Sequence, residues 1–267
     1  MKATEVKTDL EAMKRKINDY WKDAGEEYDN YPGFDTEEEK EEWKKFLSDE
    51  IVGNKLSILD AGTGTGFLAL SLAGMGHDVV GIDLSEGMLS RAIKKAKERG
   101  LNLDLRMGDV ESLDFDDKSF DVVVTRWVLW TLIHPDKAIE EWLRVLKPGG
   151  YVYAFGSKEP GRKGRWRWFK ANFAMAAITV LERRNAWARS DYDKEVKENL
   201  PLHYDKTGPR EKVKLFKKAG LNDVYVLDLK EVNNIHKEKS KEVPLRYKLT
   251  WSGNEWCCIR GRKSDGD

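Results

Sequence analysis

The chain has 267 residues, 40% of them hydrophobic, and its 47 basic side chains are matched by 47 acidic ones. A net charge of zero gives no overall field to attract nucleic acid or an anionic membrane. There is no run of about eighteen apolar residues to cross a bilayer, and the charged opening is not a signal peptide, so a soluble cytoplasmic protein is expected. The first fifty or so residues read as two or three helices laid before a core. Thr36-Glu37-Glu38-Glu39 has capping-box spacing, with Trp43, Phe46 and Leu47 on one helical face behind it. The segment ahead of it is rich in aromatics, among them Tyr20, Trp21 and Tyr28.

Beyond the leader, the apolar run Ile58-Leu59-Asp60-Ala61 predicts a buried strand that feeds Gly62-Thr63-Gly64-Thr65-Gly66 and then a helix from Phe67 to Met75. Glycines at alternate positions bare the backbone where strand meets helix, so a ligand can approach the main chain and the helix N–H groups. A second strand, Asp78 to Ile82, ends in Asp83, placed to take both hydroxyls of a ribose. The dinucleotide pattern G-x-G-x-x-G/A is not met, because the spacing here is G-x-G-x-G and position 67 is Phe. Asp60 before the loop, with no Lys inside it, suits an amine or sulfonium better than phosphate. S-adenosylmethionine (SAM) has that chemistry.

Ser85 is a candidate N-cap for a helix with Met88, Leu89, Ala92, Ile93 and Ala96 as its buried stripe, closed by Gly100. A strand Leu103 to Arg106 leads to Gly108-Asp109, a fourth starts at Phe120, and Asp136 can cap a helix carrying Ile139, Trp142, Leu143 and Leu146. Lys147-Pro148-Gly149-Gly150 then turns the chain into a fifth strand. This alternation predicts a parallel sheet with helices on both faces.

LDAGTGTG (Leu59 to Gly66), VVGIDLSEGML (Val79 to Leu89), GDVESL (Gly108 to Leu113), FDVVVTRWVLWTL (Phe120 to Leu132) and LRVLKPGGYVYAFG (Leu143 to Gly156) occur in that order. Together they resemble the class I SAM-dependent methyltransferases, of the type 11, ubiquinone/menaquinone-biosynthesis-like kind, over roughly residues 55–157. KVKLFKKAGL (Lys212 to Leu221) is similar to the family's last helix. The resemblance implies a Rossmann-like α/β fold: a seven-stranded, mostly parallel sheet whose last strand is antiparallel. One domain is expected, with a helical cap over 1–50, a SAM-binding core over 51–157, a lid insertion over 158–207 and the rest of the sheet over 208–263. It implies SAM contacts at Asp60, Gly62, Thr63, Gly64, Gly66, Asp83, Leu84, Met88, Asp109, Val110 and Thr125, with Asp109 on the adenine amino group and S-adenosylhomocysteine as product.

Acceptor-facing residues are expected at the end of strand four and in the lid: Arg126, Trp127, Trp130, His203 and Tyr204, with Tyr20 and Tyr28 from the leader. Arg126 suits an acceptor anion or a leader acid such as Asp29. His203 is the candidate general base, with Arg126 and Tyr28 beside it in the catalytic set. His77 and His134 read as turn or rim residues, and His236 as part of a charged segment. The expected reaction is methyl transfer to a small-molecule acceptor, with O, N, S and C all open. No metal, membrane or nucleic-acid partner is expected, and the protein is a monomer or homodimer. Two alternatives use the same cofactor site. Basic-aromatic residues 161–170 could grip RNA or a protein substrate, and a non-catalytic SAM-binding protein would carry the same loops. Cys257 and Cys258 are adjacent, so they offer neither a metal clip nor a disulfide framework.

Overall fold

The apolar runs pair into a single sheet. The computed structural model describes residues 11–22, 29, 36–158, 165–182, 199–202, 207–245 and 255–266. Its strands are β1 (Ser57–Ala61), β2 (Asp78–Asp83), β3 (Asp104–Met107), β4 (Phe120–Arg126), β5 (Leu146–Ser157), β6 (Asn222–Asp228) and β7 (Trp256–Arg262). The helices are α1 (residues 11–22), α2 (Glu37–Glu50), α3 (Phe67–Gly74), α4 (Glu86–Glu98), α5 (Pro135–Val145), α6 (Arg165–Glu182), α7 (Pro209–Lys218) and α8 (Lys230–Lys239).

The strand order is β3-β2-β1-β4-β5-β7-β6, parallel from β3 through β5, with β7 antiparallel to both neighbours. The order reverses between β1 and β4, which leaves a crevice at their carboxyl ends. Central strands are covered on both faces and therefore read as continuous apolar runs rather than as alternation. Leu59, Val123, Ala154 and Ile259 face α5 and α7, while Ile58, Val122, Phe155 and Cys258 face α2, α3 and α8. Both cysteines are buried and free.

The local signals mostly hold. Thr36 Oγ1 accepts from Glu39 N at 3.3 Å and starts α2, and Ser85 Oγ accepts from Met88 N at 3.5 Å and starts α4. Gly100, at φ +63°, ends α4. Three details differ. The helix assigned to an Asp136 cap begins two residues earlier, at Pro135 with His134 in the cap position, because proline's fixed φ suits the first helical position. Ile93 is 37% exposed: it lies one residue past Ala92, about 100° around the helix from the buried stripe. An additional helix, α8, lies between β6 and β7. Its polar sequence hid it, yet it buries Val232 and His236.

His236 therefore belongs to the core and not to a solvated segment. Its ring meets Trp256 edge-on at 5.7 Å, and Nδ1 lies 3.9 Å from the buried Glu39 carboxylate. Trp43 is the hub of this layer, with its ring 5.0 Å from Phe155, 5.5 Å from Phe67 and 5.5 Å from Trp256. In the expected lid, α6 buries Ala174 and Ile178 and turns Phe169, Phe173, Val180 and Leu181 outward. Because Trp43 is fully buried and bridges the leader to the sheet, Trp43→Ala should cost about 3–5 kcal/mol of unfolding free energy in a denaturant titration.

Candidate cofactor cavity

The carboxyl ends of β1, β2 and β4 open into a cavity of about 120 Å³, roofed by α1 through Lys14, Ile17, Asn18 and Trp21. The roof fits closely. A Cβ on Gly87, in the first turn of α4, would lie 2.3 Å from the carbonyl oxygen of Lys22 at the end of α1.

The glycine loop is shaped by backbone geometry. Gly62, Gly64 and Gly66 have φ of +78°, +57° and +88°, a region that suits residues without a Cβ. A Cβ on Gly62 would come within 2.3 Å of Val128, whereas one on Gly64 would meet only the Met88 methyl, at 3.5 Å. Gly64 is thus the point where a ligand can reach the main chain.

Asp60 holds the loop from beneath. Its Oδ2 accepts from Thr63 Oγ1 at 2.7 Å and from the Ala69 N–H at 3.0 Å. The side chain is buried, and that burial lifts its carboxyl to about 7, with the nearby Asp83 adding to the rise. Hydrogen bonds from Thr63 and Ala69, and the Arg126 charge, work in the opposite direction. At the tip of β2, Asp83 takes the Gly64 N–H at 2.8 Å and the Ser85 N–H at 2.8 Å. Burial pushes it up as well.

A second acidic pair lies on the far wall. Lys14 places its ammonium 2.5 Å from Asp109 Oδ2 and 2.7 Å from Glu111 Oε2. Glu111 Oε1 accepts the N–H groups of Ile133 and His134, both at 2.8 Å, tying the loop after β3 to the loop after β4. Burial alone would lower the Lys14 ammonium, but its bonds to the two carboxylates carry it above the usual lysine value. The remaining cation is Arg126. Its guanidinium lies 3.8 Å over the Phe67 ring and 4.7 Å from that of Trp256.

Four carboxylates and no cation on the glycine loop suit a ligand with an ammonium or sulfonium, a diol and an amino-purine, and do not suit a pyrophosphate. Known proteins agree. A family model described as a methyltransferase domain matches residues 59–154. A demethylmenaquinone methyltransferase from Renibacterium salmoninarum is 33% identical over 56% of this chain and 62% of its own length. Another, from Staphylococcus saprophyticus, is 28% identical over 82% of this chain and 93% of its own. The chain thus spans less than two thirds of the first relative and nearly all of the second. A SAM-dependent methyltransferase from Aquifex aeolicus has the same fold, with a TM-score of 0.53 at 18% identity over 82% of this chain and 88% of that one.

Residues 59–154 thus match a methyltransferase domain, and the chain has the fold of a SAM-dependent methyltransferase.

Of the residues expected to hold the methyltransferase cofactor, the cavity brings together Asp60, Gly62, Thr63, Gly64, Asp83, Leu84, Met88, Asp109 and Val110, and it also takes in Arg126 and Trp127. Two lie elsewhere. Gly66 faces away, where a Cβ would press on Ala92 and Leu70 at 3.1 Å, so it serves helix packing. Thr125 is buried between strands, its hydroxyl donating to the Ala61 carbonyl at 2.7 Å. Tyr20 packs edge-on against Trp21, and Trp130 lines a neighbouring cavity. Tyr28, His203 and Tyr204 lie outside the described residues, as do the side chains of Arg162, Lys163, Arg165 and Arg167.

Arg126 does not pair with Asp29, whose carboxylate instead takes Lys95 at 2.6 Å. Sequence reasoning missed Lys14 and Glu111. Glu111 lay two residues past Asp109, but only the fold shows that it turns inward.

An Asp that keeps its proton until about pH 7 when folded, but loses it near 3.9 when unfolded, draws protons to the native state between those values. Its contribution is full below the lower value and is lost as pH rises toward 7. Stability should therefore fall across that window, more steeply than in Asp60→Asn, whose amide oxygen can still accept from Thr63 and Ala69. Parallel melting curves for the two proteins from pH 4 to 7 would count against it. Gly87→Ala should push on α1 and cost about 1–3 kcal/mol, with faster proteolysis of the leader as the readout.

Proposed function

We propose that this methyltransferase transfers the methyl group of SAM to a small acceptor with a ring system, enclosed between the sheet edge and the leader. The observation that carries the reading is the roofed cavity. Asp60, Asp83 and Asp109 stand at three different strand ends, and α1 closes over them. When bound, SAM would supply an electrophilic methyl: an electron pair on the acceptor's O, N, S or C atom would form the new bond to carbon, the C–S electrons would stay on sulfur, and any proton on the attacking atom would pass to solvent or a base.

The chain's own residues do the positioning. Asp60 is suited to the ammonium of the methionyl end once deprotonated, and Asp83 to the ribose diol. Asp109 and the N–H of Val110 are suited to the adenine edge. Arg126, close enough to Asp60 to lower its carboxyl, can take a carboxylate, and Trp127 closes the side toward β5. Water exclusion falls to Trp21 and Ile17 in the roof, which leaves the aligned acceptor as the only nucleophile near the methyl.

The relatives named for demethylmenaquinone support a flat, quinone-type acceptor, and the aromatic wall after β4 supports the same shape. An RNA acceptor is less well served. The α6 helix that follows the basic-aromatic segment turns Phe169, Phe173, Val180 and Leu181 to solvent, a poor face for phosphates.

Calorimetry with S-adenosylhomocysteine tests the cofactor reading directly. Binding is expected for the wild type, and Asp83→Ala should weaken it by roughly tenfold or more, the loss of charge-assisted bonds to two hydroxyls. Affinity should also decline as pH drops below about 7, because a protonated Asp60 no longer pairs with an ammonium, and Asp60→Asn should flatten that profile. No heat of binding in the wild type would remove the basis for the reading.

A further inference from the structure

Behind Trp127 lies a second, smaller cavity of about 10 Å³, walled by Trp127, Leu129, Trp130, Gly156, Cys257 and Lys212. It is large enough for about one oxygen atom or water molecule. Lys212, in the first turns of α7, is only 6% exposed. Its ammonium reaches over Gly156 so closely that a Cβ there would be 3.3 Å from Nζ.

No described residue hydrogen-bonds or ion-pairs with that ammonium. The neighbouring Glu211 carboxylate is turned back to cap α7, accepting the Gly208 N–H at 3.0 Å. Cys257 is close, but its buried thiol is pushed up to about 11 and stays neutral, its Sγ directed at the Ser157 carbonyl. The position at the start of a helix adds to the strain, because the positive end of the helix dipole opposes a cation. Among the described residues, a buried ammonium so placed has no anion paired with it.

We propose that Lys212 receives the anionic ring oxygen of the acceptor, a phenolate- or quinol-type oxyanion, and so sets which edge of the ring faces the methyl group. Three features of the site fit that occupant. The space is about that of a single oxygen. Its walls include Trp127 and Trp130, whose rings suit a planar acceptor. Trp127 lines both cavities, so an acceptor lying against it can put its ring at the methyl and its oxygen at Lys212. The proposal rests on the small-acceptor reading above.

The test uses the full chain saturated with S-adenosylhomocysteine, titrated with 2-hydroxy-1,4-naphthoquinone, an anion at neutral pH, and with its neutral 2-methoxy ether. The wild type should bind the anion about tenfold more tightly than the ether. Lys212→Met should bring the two together, Lys212→Arg should keep part of the difference, and Gly156→Ala should reduce it by crowding Nζ. Lys212→Met should also melt higher than the wild type, since it removes a buried charge that no neighbour pairs, whereas a lysine that merely held structure would melt lower on removal.

If all variants bind S-adenosylhomocysteine but the wild type does not prefer the anion, or Lys212→Met keeps the preference, the oxyanion assignment is overturned and the methyltransferase reading stands. A wild type that fails to bind S-adenosylhomocysteine overturns both.

Discussion

The buried carboxylate of Asp60 is the constraint on which the cofactor cavity depends. It sits buried at the carboxyl end of β1, and its donors among the described residues are the Thr63 hydroxyl and the Ala69 N–H. Those two bonds fold the glycine loop back over the strand and fix the start of α3, so the loop's shape follows from the need to satisfy one acid. Asp83 repeats the device one strand away, joining the same loop at Gly64 to the start of α4 at Ser85. The two acids lock the loop from both sides, and each does so at the cost of a raised proton affinity. Sites that bind a cationic ligand commonly hold such strained acids, because the ligand relieves what the fold leaves uncompensated.

The same logic organises the region past β4. Trp127 adopts a left-handed backbone, φ +62°, which a bulky side chain rarely accepts. Its N–H bonds to the Phe155 carbonyl at 3.0 Å, and its ring meets Trp256 edge-on at 5.4 Å. These contacts pin the indole between two cavities. Arg126, the residue before it, shares the Trp256 neighbour: Phe67, Trp256 and Trp43 surround its guanidinium. The left-handed turn thus lets two consecutive side chains at a strand end reach the same Trp256 and line one cavity, one cationic and one aromatic.

Much of this was legible in the sequence because it is local. The strands, the glycine turn, the Thr36 and Ser85 caps and the acids after β2 and β3 each depend on residues within a few positions of one another. Long-range pairings were not legible. Gly66 reads as a ligand glycine from spacing alone, but whether it meets ligand or Ala92 is decided by the approach of α4. Thr125 reads as a strand-end contact, but its hydroxyl is claimed by Ala61, a strand away. His236 reads as part of a charged segment and Lys212 as part of a charged helix, since their neighbours in sequence are mostly polar or charged. Their burial follows from Trp256 and Gly156 in distant strands. A polar residue's burial depends on what packs over it, and periodicity carries no information about that.

The leader shows how charge rather than apolar area can hold a roof. Only Ile17 among the apolar residues of α1 is deeply buried, too little to fix a three-turn helix by hydrophobic contact alone. Lys14 supplies the missing attachment by bridging Asp109 and Glu111, two acids that would otherwise repel each other across the cavity wall. With about a quarter of its side chain exposed, the bridge is partly screened, so its value is modest and sensitive to salt. An adenine amino group is a neutral donor and cannot replace that positive charge, although it can use a lone pair of Asp109 left by Lys14 and the Glu111 N–H. The ammonium and a purine therefore need not compete for the same electrons. A roof held through one oxygen of Asp109 leaves a lone pair on the other, so the same acid can serve the roof and, on the proposed reading, the base, which keeps the site covered while occupied.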